Sequence, residues 1–128
     1  MTVLRCKPGV GFPVLRPAGA RIIAELDGTA RELGFDILIT SGSEERGRKP
    51  DDPHPLGEGV DISVAGLSNE QILTLYRTLQ ARLGDRFTVL LEGPHPVPDM
   101  ELARVLTLNS AATALHIHIQ RKKGTVFP

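Results

Sequence analysis

The segment Leu115-His116-Ile117-His118-Ile119-Gln120 alternates apolar and polar residues, and that period constrains the fold more than any other stretch of the chain. Successive side chains of a β-strand point to opposite faces, so Ile117 and Ile119 enter a core while His116 and His118 stand together on the other face. Val60-Asp61-Ile62-Ser63-Val64 alternates in the same way and sets Asp61 on the polar face of a second half-buried strand.

Strands of this kind need cover on their apolar face, and two helical patterns supply it. From Pro17 onward, Ile22, Ile23, Leu26, Ala30 and Leu33 recur at three- and four-residue spacing, with Glu25, Arg31 and Glu32 opposite and Gly34 placed as a terminator. Ile72, Leu75, Leu79 and Leu83 form a second stripe that ends near Gly84. Ser68-Asn69-Glu70-Gln71 opens it as a capping box, in which Ser68 takes the N3 amide and Gln71 reaches back. Residues 35–39 and 87–92 are short apolar runs rich in β-branched residues and read as two further strands.

With 128 residues, 41% of them hydrophobic, the chain suits one core, and it is read as a single domain spanning residues 1–128. Residues 1–16, rich in Gly and Pro, read as an irregular N-terminal arm. Residues 93–114 form a long insertion between two strands, within which 99–108 is either a short helix or an extra strand.

Fifteen acidic residues balance fifteen basic ones, so no overall field draws the chain to nucleic acid or to an anionic membrane. No run is long enough to insert in a bilayer, and the N-terminus lacks the apolar stretch of a signal peptide, which predicts a protein that is cytoplasmic as synthesised. Cys6 is the only cysteine, which excludes an internal disulfide and a thiolate zinc knuckle. Any metal must use His and carboxylate.

Such a set is present. Asp52-Pro53-His54-Pro55-Leu56-Gly57-Glu58-Gly59-Val60-Asp61 places a histidine in a loop and an aspartate seven residues later on a strand, with glycines that let the backbone turn between them. A half-buried ionised aspartate flanked by Val60 and Ile62 needs a cation or several amide donors. His54, Asp61 and one of His116 and His118 complete the three protein ligands of a catalytic zinc, which keeps a fourth position open. The expected architecture is α+β, a small, mainly antiparallel sheet of about four strands with two helices packed on one face and a zinc cleft on the other.

A His, six intervening residues, an Asp and a later His-x-His resemble the zinc D-Ala-D-Ala carboxypeptidase and L-alanyl-D-glutamate endopeptidase family, with which lysostaphin-type endopeptidases and hedgehog proteins share a zinc set. The family pattern Ser-x-His-x-x-Gly-x-Ala-x-Asp is matched at His54, Gly57 and Asp61, with Asp52 replacing Ser and Gly59 replacing Ala. Ile39-Thr40-Ser41-Gly42 resembles the family's Thr-Ser-Gly strand end, and the likeness covers residues 17–120 in order.

The resemblance implies that His54, Asp61 and His118 hold zinc and that His116 stabilises the transition state. The implied activity is hydrolysis of peptide bonds in peptidoglycan stem peptides, by a small phage endolysin-like enzyme acting at the cell wall. Two departures stand out. Leu115 occupies the place, three residues before the ligand histidine, where the family carries an acidic general base. Some phage relatives read Leu-Glu-x-x-His-Ile-His across a tight hairpin, so Glu92, after Leu91 at the end of the preceding strand, is the candidate replacement. Glu44 stands where the family has a substrate-binding Arg after Ser-Gly; Arg46 or Arg48, with Ser41, is expected to contact substrate instead. The alternative is a weakly active or inactive metal-containing module that binds cell wall or serves as a phage structural component.

Overall fold

The computed structural model describes residues 3–43 and 57–126. The helical patterns fold as their sequences dictate. Helix α1 (Pro17–Leu33) begins on a proline, whose missing N–H costs nothing in a first turn, and ends at Gly34, which takes φ 71° and returns its N–H to Ala30 O. Helix α2 (Asn69–Leu83) opens on the capping box: Gln71 N–H donates to Ser68 Oγ at 3.1 Å, and Ser68 N–H donates to Gln71 Oε1 at 2.9 Å.

Four strands carry the alternating or apolar runs: β2 (Ile37–Ser41), β3 (Gly59–Ser63), β4 (Phe87–Gly93) and β6 (His116–Arg121). They lie antiparallel to their neighbours in the order β2-β3-β6-β4. Two three-residue strands extend this sheet at its edges, β1 (Leu4–Cys6) beside β2 and β5 (Leu106–Leu108) beside β4, both parallel to their neighbours. The α+β class is therefore correct, but among the described residues the sheet has six strands rather than about four and is mixed rather than mainly antiparallel. A third helix, α3 (Met100–Val105), joins the two that were expected.

Each correction has a connection behind it. A parallel pair needs a crossover of about a dozen residues or more, usually containing a helix. Helix α1 lies in the crossover from β1 to β2, and α3 in the crossover from β4 to β5. The arm expected to be irregular thus contains a strand, and residues 99–108 contain a helix followed by a strand, where one or the other was expected.

Helices α1 and α2 pack on the same face of the sheet, against Val60, Ile62, Val89, Leu91, Ile117 and Ile119. The opposite parity of the same strands, Asp61, Ser63, Glu92, His116, His118 and Gln120, forms the face away from that core. Among the described residues no helix is long and apolar enough to cross a membrane.

Candidate functional site

Strand pairing assembles the polar side chains. Across β3 and β6, Asp61 stands opposite His118 and Ser63 opposite His116; across β4 and β6, Glu92 stands opposite His116. Side chains directly opposite on one face of an antiparallel pair lie close enough to interact. Asp61 Oδ1 lies 2.7 Å from His118 Nδ1 and 3.8 Å from His116 Nε2. Glu92 Oε1 lies 3.1 Å from that same His116 Nε2. Glu92 and Asp61 are thus held on either side of one ring nitrogen.

The partners define the protonation. The Ala114 carbonyl can only accept, and it lies 3.0 Å from His116 Nδ1, so that nitrogen carries a proton. The hydrogen bond to Glu92 raises the His116 pKa above its ordinary value; burial opposes this, and the Ala114 carbonyl and the Asp61 charge add to the rise. The same bond lowers the Glu92 pKa, against its own burial and with help from the nearby His118 charge. Glu92 and His116 therefore each favour the other's charged form. For His118, burial is the largest influence and works against the charged ring. The Asp61 hydrogen bond and charge, the Gln120 oxygen and Glu92 together overcome it, and the pKa is raised.

A pocket of about 350 Å³ opens beside this row, with Asp61, Ser63 and His116 on one side and residues 111–115 on another. Ser41 and Thr40 also line it. A register shift between Ile39 and Ser41 brings Ser41 opposite Asp61, and Ser41 is buried there. Lys7, which also lines the pocket, comes from just beyond β1 and was not anticipated, because nothing local to residue 7 signals that the arm returns to the sheet. Gln120 was missed as well; it follows the two histidines on their own face, and strand parity was the available signal.

Glycine at 57 has a physical reason. Its φ is 71°, and a Cβ there would approach Val14 O to 2.4 Å and Leu15 Cα to 2.7 Å, so a side chain would force the arm away from the entry to β3. Leu115 packs against the apolar core and offers no proton-transferring group. Two expected site residues, the ligand His54 and the substrate-contacting Arg46, lie outside the described residues, as do Arg48 and Glu44.

Among the described residues no three His, Cys, Asp or Glu side chains are arranged to hold a metal ion. Asp61 and His118 nevertheless fit as two ligands. Two donors on a tetrahedral zinc lie about 3.4 Å apart, so this pair, now at 2.7 Å, would have to open by well under an ångström. Carboxylate oxygen and imidazole nitrogen are both ordinary zinc donors, and Asp61 is only half-buried. Comparison of the chain with family models, with curated proteins and with solved structures finds no match.

Proposed function

We propose that the chain is a zinc-dependent peptidase that hydrolyses peptide bonds in peptidoglycan stem peptides, as a D,D-carboxypeptidase or an endopeptidase of the phage endolysin kind. The observation that carries this reading is the 2.7 Å approach of Asp61 Oδ1 to His118 Nδ1, beside the Glu92–His116 pair, with Asp61 and His116 lining a pocket of about 350 Å³. His54, Asp61 and His118 hold the ion. The site of action is the cell wall, with a stem peptide as substrate.

Zinc, when bound, supplies Lewis acidity at the scissile carbonyl and acidifies a water in its open position. The chain supplies proton traffic and orientation. Glu92 is ionised and adjacent, so its carboxylate accepts the proton of the attacking water and returns it to the leaving amine. Once Glu92 is protonated, its hold on His116 Nε2–H weakens, and that N–H becomes a donor to the developing oxyanion. Ser41 and Thr40 in the pocket wall orient the peptide, with Arg46 as the expected partner of its charged groups.

A second reading is favoured by the depressed Glu92 pKa, because a general base works best when its pKa lies near the operating pH. With Leu115 in the usual place of the acid, the same centre suits a weakly active or inactive module that binds cell wall. Release of new amino groups from purified peptidoglycan by the zinc-loaded chain separates the two. The wild type is expected to release them, Asp61→Ala and His118→Ala to release none, and Glu92→Gln to be slower by about 10²- to 10⁴-fold. A zinc-loaded wild type that releases none, beside an active Leu115→Asp variant, establishes the binding module instead.

A further inference from the structure

The row of contacts on the polar face continues past the candidate ligands. Gln120 Oε1 lies 2.6 Å from His118 Nε2, on the side of the ring away from Asp61. Gln120 is half-buried and stands opposite Gly59 on β3 and Thr88 on β4, and His118 is 8% exposed, so little water competes for this bond.

A neutral imidazole carries its proton on one nitrogen and a lone pair on the other, and only the lone pair can bind a metal. An amide oxygen only accepts. Both ring nitrogens face acceptors, Asp61 Oδ1 at Nδ1 and Gln120 Oε1 at Nε2; an ion taken up by Asp61 would displace the proton on Nδ1, while Gln120 keeps the one on Nε2. The geometry points to Gln120 as a positioning residue, which holds His118 in its Nε2–H form and so makes Nδ1 the metal-binding atom. The inference rests on the zinc reading above and adds to it the ligating atom and the group that selects it. The reversed amide would act in the opposite sense: its NH2 would donate to Nε2 and leave the proton on Nδ1, where it bonds Asp61 and shuts out an ion. Metal-bound histidines almost always donate their second N–H to a fixed acceptor, and loss of that acceptor typically weakens metal binding by about 10- to 100-fold.

Zinc titration of Gln120→Leu is therefore expected to show an affinity lower by about 10- to 100-fold than wild type. Gln120→Glu, which keeps an acceptor at the same reach, is expected to bind zinc at least as well as wild type, and circular dichroism of both variants verifies that they fold. In ¹⁵N-histidine spectra of the zinc-loaded wild type, His118 should show a protonated Nε2 and a metal-bound Nδ1. Equal zinc affinity in wild type and Gln120→Leu, or a metal-bound Nε2, overturns the inference. The metal-free protein gives an independent readout: a hydrogen-bonded His118 Nε2–H resonance is expected in wild type and lost in Gln120→Leu. Its absence from wild type overturns the role of Gln120 whether or not zinc binds. If that resonance is present while wild type binds no zinc, Gln120 does hold the ring and the zinc reading alone fails.

Discussion

Each ring nitrogen of the two imidazoles on β6 faces an acceptor: Ala114 O and Glu92 for His116, Asp61 and Gln120 for His118. The consequence for stability has a definite sign. Both histidine pKa values are raised above 6.5, so their contribution is complete below the unfolded value and fades as pH rises through the folded ones. The Glu92 pKa is lowered from 4.5, so its contribution is complete above that value and fades as pH falls through the folded one. The metal-free chain should therefore be most stable between about pH 4.5 and 6.5 and lose stability on both sides. Thermal unfolding from acid to mildly alkaline pH checks this, and a melting temperature that climbs steadily through neutrality contradicts it. Glu92→Gln should flatten the alkaline decline, since it removes the main cause of the His116 rise. Zinc affinity should run the other way and fall in acid, because protons compete for His118 and Asp61. Strand parity showed in the sequence that His116 and His118 share a face. The same parity carries Gln120 onto that face, whereas Ala114 acts through its backbone carbonyl, which no side-chain pattern announces.

The two long helices and the four inner strands were legible because each is long enough to display its period, and each helix carries an explicit terminal signal in Gly34 or Ser68. The outer strands β1 and β5 have three residues each, too few for alternation to emerge from a Gly- and Pro-rich arm or a loop. Glycines inside α1 were equally opaque, and the structure gives Gly19 and Gly28 different tasks. A Cβ on Gly28 would meet Arg82 Nη2 at 2.0 Å, at the end of a flexible side chain that bonds Glu25 and Glu32. A Cβ on Gly19 would meet Gly57 O at 1.9 Å, which is backbone against backbone. Alanine in place of glycine favours a helix by about 1 kcal/mol. For Gly28→Ala that gain is set against partly exposed ion pairs worth about 0–1 kcal/mol, and stability should change by less than about 1 kcal/mol. For Gly19→Ala it is set against overpacking of about 1–3 kcal/mol, and the chain should be destabilised despite its better helix former. Denaturant midpoints of the two variants decide this; a Gly19→Ala chain as stable as wild type would mean that α1 and the entry to β3 can separate freely. Zinc affinity should also fall in Gly19→Ala alone, because Gly57 leads into the strand that carries Asp61.

At the scale of the molecule, the candidate ligands stand on the back of its core. Asp61 is flanked by Val60 and Ile62 and His118 by Ile117 and Ile119, all four at 0% exposure, on the two middle strands of the sheet. Moving Asp61 or His118 far means opening the strands against which α1 and α2 pack, so these two donors are held in place by the core itself. The unfolded chain has no such convergence, since Asp61 and His118 lie 57 residues apart in sequence. An ion that binds the folded chain alone stabilises it by about 2.7 kcal/mol at a free concentration one hundred times its dissociation constant. For a chain of this length that corresponds to a rise of roughly 10 °C in melting temperature. Calorimetry with zinc and after chelation should show this difference in the wild type. Asp61→Ala should melt at the same temperature with and without zinc, since it removes a ligand while leaving Val60 and Ile62 in the core. His54→Ala tests the proposed third ligand: if zinc still raises its melting temperature as much as in wild type, the third ligand is another residue.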